Sequence, residues 1–306
     1  MRPTIRIGTR GSQLALVQSR WVQACVQRHL PDFDVELVTI TTSGDRFVEQ
    51  PLSLIGGKGL FVKEIEEALQ AGVIDCAVHS MKDVPGELAP GLIIAAIPPR
   101  EDVRDVVITS DGARLDQLPR GARVGTSSLR RMALVRAARG DLEVMNLRGN
   151  VDTRLRKLDR GDCGAVMLAA AGLNRLGIKR SGVAFCDPVD FIPAVGQGAL
   201  AIESRADAVA GRLAPLDDAV TRLAVTAERA FLARAGGSCR TPLAAYATVS
   251  HQTMDLRALI ASPDGRQVVR GERRGAATDG AALGADLAEE LLGKGGAEIL
   301  RALQAS

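Results

Sequence analysis

At 306 residues, 46% of them hydrophobic and 25% charged, the chain is long enough for two or three domains, each with its own core. The longest mostly apolar run, 165–173, is far short of the roughly 18 to 20 residues of a membrane span, and Met1 to Arg6 lack the apolar core of a secretion signal. No membrane partner and a cytoplasmic location are therefore expected. Five scattered cysteines form no C-x-x-C pair, and the three histidines (His29, His79, His251) are dispersed; a reduced compartment fits, and no metal is expected. The net charge of +3 is uneven, with −1 over residues 1–100, +4 over 101–196 and zero thereafter. Arginines outnumber lysines 33 to 6, and guanidinium forks match carboxylates and phosphates better than ammonium groups do. Aromatics at 3% leave little to stack on bases, which argues against nucleic acid.

Ile5 and Ile7 open a strand that leads through Gly8-Thr9-Arg10-Gly11-Ser12 into a helix, with Leu14, Val17, Trp21, Ala24 and Cys25 expected on its inner face. Ser12 is an N-cap, and Arg10 is either an anion ligand beside the exposed helix amides or a solvated loop residue. A second strand spans Val35 to Ile40. Gly56-Gly57-Lys58-Gly59 lacks the P-loop spacing and reads as a hinge or lid before a helix that buries Phe61, Ile65, Ala68 and Leu69.

Asp75 to Val78 is a short covered strand running into His79-Ser80-Met81-Lys82-Asp83-Val84-Pro85, where the proline closes off regular structure. Ligands of open α/β folds bind outside the carboxyl ends of strands. Lys82 and Asp83 are thus either a catalytic pair or an exposed ion pair of little energetic value. Leu92 to Ile97, ending in Pro98-Pro99, leaves the first domain.

The same grammar returns with Val106 to Ile108 and with Val124-Gly125-Thr126-Ser127-Ser128-Leu129-Arg130-Arg131, whose helix ends at Gly140. Capping hydroxyls, free amides and guanidinium forks together make a carboxylate or phosphate receptor; the alternative is an ordinary Ser-capped helix. Val144 to Leu147 feeds Arg148-Gly149-Asn150 and a helix with Val151, Leu155 and Leu158 inward and Arg154 nearby. Ala165 to Ala170 is the next strand, and Arg175 lies in the turn after it. Strand ends bearing Arg148, Arg154 and Arg175 suit a polyanion. Pro193 to Leu200 reads as a segment crossing back to the first domain, followed by a strand at Ala199 to Ile202. A helix over Thr221 to Ala235 breaks at Gly236-Gly237-Ser238-Cys239-Arg240-Thr241-Pro242. Strands at Leu256 to Ile260 and Gln267 to Arg270, with a helix at Leu283, Leu287 and Leu291, complete a small α+β domain. Cys239 is either a small core residue or an accessible thiol on a loop.

Four motifs in one order, His79-Ser80-Met81-Lys82-Asp83-Val84-Pro85, Gly125 to Arg131, Leu147-Arg148-Gly149-Asn150 and Pro193 to Ala199, resemble the porphobilinogen deaminase (hydroxymethylbilane synthase) family over nearly the whole chain. The resemblance implies an α/β protein of three domains. The first two, 1–98 with about 197–215 and 99–196, would be like type II periplasmic binding proteins with mixed sheets, and 216–306 would be the small α+β domain. It implies a transferase of tetrapyrrole biosynthesis, working as a monomer, that deaminates porphobilinogen and extends a thioether-linked dipyrromethane. By motif, Cys239 would anchor that cofactor and Asp83 would be the catalytic carboxylate. Lys82, Asp83, Thr126, Ser127, Ser128, Arg130, Arg131, Arg148 and Arg154 would bind the cofactor, and Arg10, Ser12, Gln18, Arg148, Arg154, Arg175 and Gln197 the substrate. The family usually has Glu-Gly-Gly before the anchoring cysteine; here Gly236-Gly237-Ser238 stands there. A rival from another class is a non-catalytic anion-binding module, which shares the arginines but has no use for Cys239.

Overall fold

Two five-stranded sheets carry the same arrangement of strands, and a three-stranded antiparallel sheet follows them. The structure is a computed structural model, and it describes residues 2–43, 62–237 and 241–304. The glycine-rich stretch 56–59, Phe61 and Cys239 lie outside the described residues.

The chain divides into two compact units. Unit 1 is Met1–Glu101 with Gly198–Arg222, and unit 2 is Asp102–Gln197 with Leu223–Ser306. Unit 1 holds β1 (Thr4–Thr9), β2 (Asp34–Thr39), β3 (Cys76–Ser80), β4 (Leu92–Ala96) and β10 (Leu200–Arg205) in the order β2-β1-β3-β10-β4. β1 runs parallel to β2 and β3, whereas β10 is antiparallel to β3 and β4. Unit 2 repeats this with β5 (Asp105–Ile108), β6 (Arg123–Thr126), β7 (Glu143–Asn146), β8 (Ala165–Ala169) and β9 (Val183–Phe185) in the order β7-β6-β8-β5-β9. Here β6 is parallel to β7 and β8, and β5 is antiparallel to β8 and β9. Each half is thus a mixed sheet with a single antiparallel strand between parallel neighbours and an edge, as the binding-protein-like expectation requires.

The central strands are apolar runs because both faces are covered. Cys76, Ala77, Val78, Val106, Val107, Ile108, Ala165, Val166 and Met167 are all buried. On one face of the first sheet, helix α1 (Gln13–His29) packs Val22 and Val26 against Ile5, Ile7, Val78 and Ile202. On the other, helix α2 (Lys63–Gln70) packs Ile65 and Leu69 against Ile74 and Ala77. At roughly 25 cal/mol per Å² of apolar surface, these faces hold the sheets in register.

The inner face of α1 differs from the sequence expectation. Its buried residues are Gln18, Ser19, Val22 and Val26, whereas Trp21 is 47% exposed and Ala24 also faces out. Polar groups with inward partners override apolar spacing here: Ser19 Oγ donates to Thr9 Oγ1 at 2.7 Å, so burying it leaves nothing unsatisfied.

The remainder of unit 2 pairs β11 (Leu243–Ser250), β12 (Thr253–Ala261) and β13 (Val268–Ala276) as antiparallel neighbours. Helices Ala219–Arg234 and Gly280–Leu291 supply Phe231, Leu287 and Leu291 to a core with Met254, Leu256 and Ile260. β11 had no sequence expectation. Its Ala-rich run Leu243-Ala244-Ala245-Tyr246-Ala247 carries weak strand propensity, and pairing along the whole of β12 overrides that.

Candidate active site

In unit 1, β3 ends at Ser80, and a single 3₁₀ turn, Met81–Asp83, follows. The Met81 amide donates to the Ala199 carbonyl at 3.0 Å, and the Val84 amide to the Met81 carbonyl at 3.1 Å. The first bond ties the turn to the residue before β10 and the second closes the turn on itself, and Met81 and Val84 are buried. Lys82 and Asp83 between them are half-buried, so they are not an exposed surface pair.

Asp83 borders a hollow also lined by Arg10, Ser12, Ala15, Gln18, His79 and Ser80. Arg10 follows β1, and Ser12 caps α1 by accepting from the Ala15 amide at 3.3 Å. Gln18, one turn further along, donates through Nε2 to Ser80 Oγ at 3.0 Å. The motif from β1 and the motif from β3 therefore meet at one strand-end site. A carboxylate, a guanidinium, two hydroxyls and an amide are gathered there, a mixture suited to a zwitterionic ligand.

Unit 2 gathers the other candidates. Ser128 caps the helix Leu129–Ala138, and its amide donates to Thr126 Oγ1 at 3.2 Å. Arg130 and Arg131 in the first turn are buried, each on Asp105 at the start of β5. Arg130 Nη1 lies 2.7 Å from Asp105 Oδ2, and Arg131 Nη2 lies 2.8 Å from Oδ1. Gln197 Nε2 donates to Asp105 Oδ1 at 2.9 Å and to the Val103 carbonyl at 2.7 Å. The Gly196 amide is in turn held by Glu228 Oε2 at 2.7 Å. Burial alone would raise the Asp105 carboxyl, but the Arg130 and Arg131 guanidinium groups hold it well below the usual carboxylate range. The Asp105 carboxylate therefore stays ionised inside the fold.

Sequence reading missed Asp105. Its only signal is a carboxylate opening the apolar run 105–108, which is out of place in a covered strand unless cations meet it.

Arg148 and Arg154 flank the turn after β7. Gly149 adopts φ +116°, and a Cβ there would sit 2.8 Å from Thr153 Cβ, so the turn needs glycine. Asn150 caps the helix Val151–Asp159, accepting from the Thr153 amide at 2.9 Å. Arg154 Nη2 donates to Ser127 Oγ at 3.0 Å, and its buried Nε finds no acceptor among the described residues. Burial, with Arg131 and Arg148 nearby, lowers Arg154 to about 10. Arg175 is the last residue of the short helix Ala170–Arg175, not of an irregular turn as expected, and is half-buried. Arg131, Arg148 and Arg154 thus form a cation cluster in which Arg131 rests on Asp105, and an anionic group fits the orphaned Nε of Arg154. A dipyrromethane bearing acetate and propionate chains meets that requirement. No helix of the described residues is long and apolar enough to cross a membrane, and no metal-binding group of His, Cys, Asp or Glu occurs among them.

Comparison with known proteins gives the same chemistry. Residues 5–211 match the family model "Porphobilinogen deaminase, dipyromethane cofactor binding domain", and 222–293 match its C-terminal domain. The porphobilinogen deaminase of Syntrophotalea carbinolica is 51% identical over 98% of this chain and 96% of its own length. That of Roseiflexus castenholzii is 52% identical over 98% and 99%. Among solved structures, the methionine-binding protein MetQ aligns with 70% of this chain and 89% of its own at 15% identity and a TM-score of 0.44, too distant to bear on the site. The hydroxyl-and-arginine constellation of unit 2 falls inside the cofactor-domain match, and the chain belongs to the porphobilinogen deaminase family.

Proposed function

We propose that Asp83 is the catalytic carboxylate and Cys239 the covalent anchor of a reaction in which four porphobilinogen molecules are deaminated and joined head to tail on a dipyrromethane. The observation that carries the reading is Arg154, buried at its Nε without an acceptor and lowered by burial and by Arg131 and Arg148. A desolvated cation cluster is costly until a carboxylate arrives, and every pyrrole ring of this substrate brings an acetate and a propionate. Arg131, Arg148 and Arg154, with Ser127, Ser128, Thr126, Arg130 and Lys82, would hold the cofactor. Arg10, Ser12, Gln18, Arg175 and Gln197 would serve the substrate.

When bound, the dipyrromethane supplies an electron-rich pyrrole α-carbon as nucleophile. Asp83 accepts the pyrrole N–H of the arriving substrate and stabilises the positive charge that develops as the amine departs. Cys239 attacks a carbon electrophile once and stays attached, which asks for access and reach rather than a returning base. Residues 216–306 would be the third domain, bearing this anchor, beside domains of 1–98 with 197–215 and of 99–196. The working form would be a monomer in the cytoplasm.

Intact-protein mass spectrometry with and without porphobilinogen is the test. The expected result is a protein heavier than its sequence by one dipyrromethane, with stepwise increments on adding substrate and no adduct in Cys239→Ser. An unmodified mass from active wild-type protein overturns the reading.

A further inference from the structure

One buried titratable group beside the hollow has no part in the chemistry above. His79 is the residue before Ser80 on β3, it borders the hollow, and its side chain is only 4% exposed. Its Nε2 lies 2.9 Å from Glu203 Oε2 on β10, and the Glu203 side chain is fully buried. The approach is off the line of a hydrogen bond, and neither Glu203 oxygen meets another donor among the described residues. Imidazole and carboxyl are thus buried side by side, with no other side-chain partner for either Glu203 oxygen among the described residues.

Strand alternation sets His79, Ala77 and Glu203 on the α2 side of the sheet, with Ala77 opposite Glu203 in register. The next acid in that direction is Glu66 on α2. It is half-buried, and its Oε1 accepts from the Ala89 amide at 3.2 Å. Burial raises the Glu66 carboxyl, Glu203 adds to the rise, and His79 opposes it. The groups facing the imidazole are thus Glu203 from β10 and Glu66 from α2, while Asp83 and Arg10 border the hollow itself.

The reaction has a proton to dispose of at every addition. The substrate enters with its amine as the ammonium, and its C–N bond breaks with the electron pair leaving on nitrogen as neutral ammonia. A pyrrole α-carbon then bonds to the exocyclic carbon, and its C–H bond breaks, returning the electron pair to the ring and freeing a proton. Asp83 stabilises the next cation only while ionised, so a route that takes the proton away from it, alongside the departing ammonia, readies it for the next addition.

We propose that His79, Glu203 and Glu66 are a proton relay, carrying the α-proton released at each condensation from the Asp83 hollow to the partly exposed side of α2. His79 receives it at the strand end, Glu203 passes it behind the sheet, and Glu66 gives it to solvent. No electron transfer is involved. The relay rests on the reading of Asp83 as a carboxylate that stays ionised.

The test uses the holoenzyme and porphobilinogen deuterated at its free α-carbon, whose deuterium is lost from the second addition onward. His79→Asn is expected to lower kcat about 100-fold, the low end for a general acid or base, with KM nearly unchanged. The deuterium effect on kcat should grow to a primary one. Unchanged kcat, or a slower enzyme whose isotope effect has not grown, overturns the relay. Glu66→Gln, at the half-buried end, gives a second reading if His79→Asn loses its fold: a smaller loss with a raised isotope effect is expected, and wild-type kinetics overturn the proposal. A readout free of turnover is the imidazole ¹⁵N signal of His79, one of three histidines; it should move in Glu203→Gln, and an unmoved signal overturns the pairing. Asp83→Asn acts at the earlier C–N step and should raise no α-deuterium effect. Normal turnover in that variant would therefore refute the Asp83 assignment separately.

Discussion

The Asp83 hollow of unit 1 and the arginine cluster of unit 2 handle charge in opposite ways. Asp83, Arg10, Ser12 and Ser80 are half-buried, and the contacts that cross-link the hollow are neutral, such as that of Gln18 with Ser80. In unit 2, Arg130 and Arg131 are fixed on a fully buried Asp105 before any ligand arrives, while Arg154 has a hydroxyl partner and an orphaned Nε. The difference separates two tasks. Holding a chain of carboxylates rewards cations whose positions are settled in advance, whereas a carboxylate meeting a transient cation must stay accessible to substrates that come and go.

Asp105→Ala tests the fixed side with the largest expected effect. It leaves two buried guanidinium groups without their carboxylate and should cost about 3 to 5 kcal/mol of stability. Urea unfolding followed by circular dichroism measures this, and a loss below about 1 kcal/mol would show that the triad is not what fixes the arginines. Asp83→Asn tests the accessible side: a loss of at least about 100-fold in turnover with an unchanged melting temperature is expected. Near-normal turnover would remove Asp83 from the chemistry.

Arg154→Met sharpens the contrast within unit 2. The stabilisation that the attached cofactor gives the fold should fall by about 1.5 to 3 kcal/mol, the worth of a charged hydrogen bond, as read by chemical unfolding, while the cofactor-free protein is no less stable. A stability loss in that form would mean that Arg154 is structural. The smallest effect is in pH dependence, where the two regions have opposite signs. The Asp105 carboxyl is depressed by Arg130 and Arg131, so its contribution is complete above the ordinary value of about 3.9 and is lost only as pH falls through its lower folded value. The Glu66 carboxyl is raised, chiefly by burial, so its contribution is present below about 4.3 and is lost as pH rises through its folded value. Glu66→Gln should flatten stability above pH 4.3, and chemical unfolding across that range checks it; an unaltered slope would contradict the sign.

The strand-turn-helix grammar was legible because covered strands, glycine turns and Ser or Asn caps leave local marks. Ser12, Ser128 and Asn150 all cap the helices they precede. The inner face of α1 was not legible, since Gln18 and Ser19 are buried by partners on β3 and β1 that no local pattern reveals. For the same reason the arginines of 130–131 could be read as anion ligands from their helix start, but not their clamp on Asp105, which lies 25 residues away for Arg130. His79 carried no usable signal, because its partner Glu203 lies far along the chain and reaches it only through the pairing of β10 with β3.

That late pairing bears on the order in which a ribosome delivers the protein. β3 and the Met81–Asp83 turn leave the exit tunnel early, yet the carbonyl of Ala199 that holds the Met81 amide and the strand that completes the sheet emerge only after all of β5 to β9. A nascent chain truncated before residue 199 therefore has Asp83 without this support of its turn. Asp83 is translated in the first third of the chain, but the carbonyl that holds its turn arrives only when about two thirds of the chain has been made.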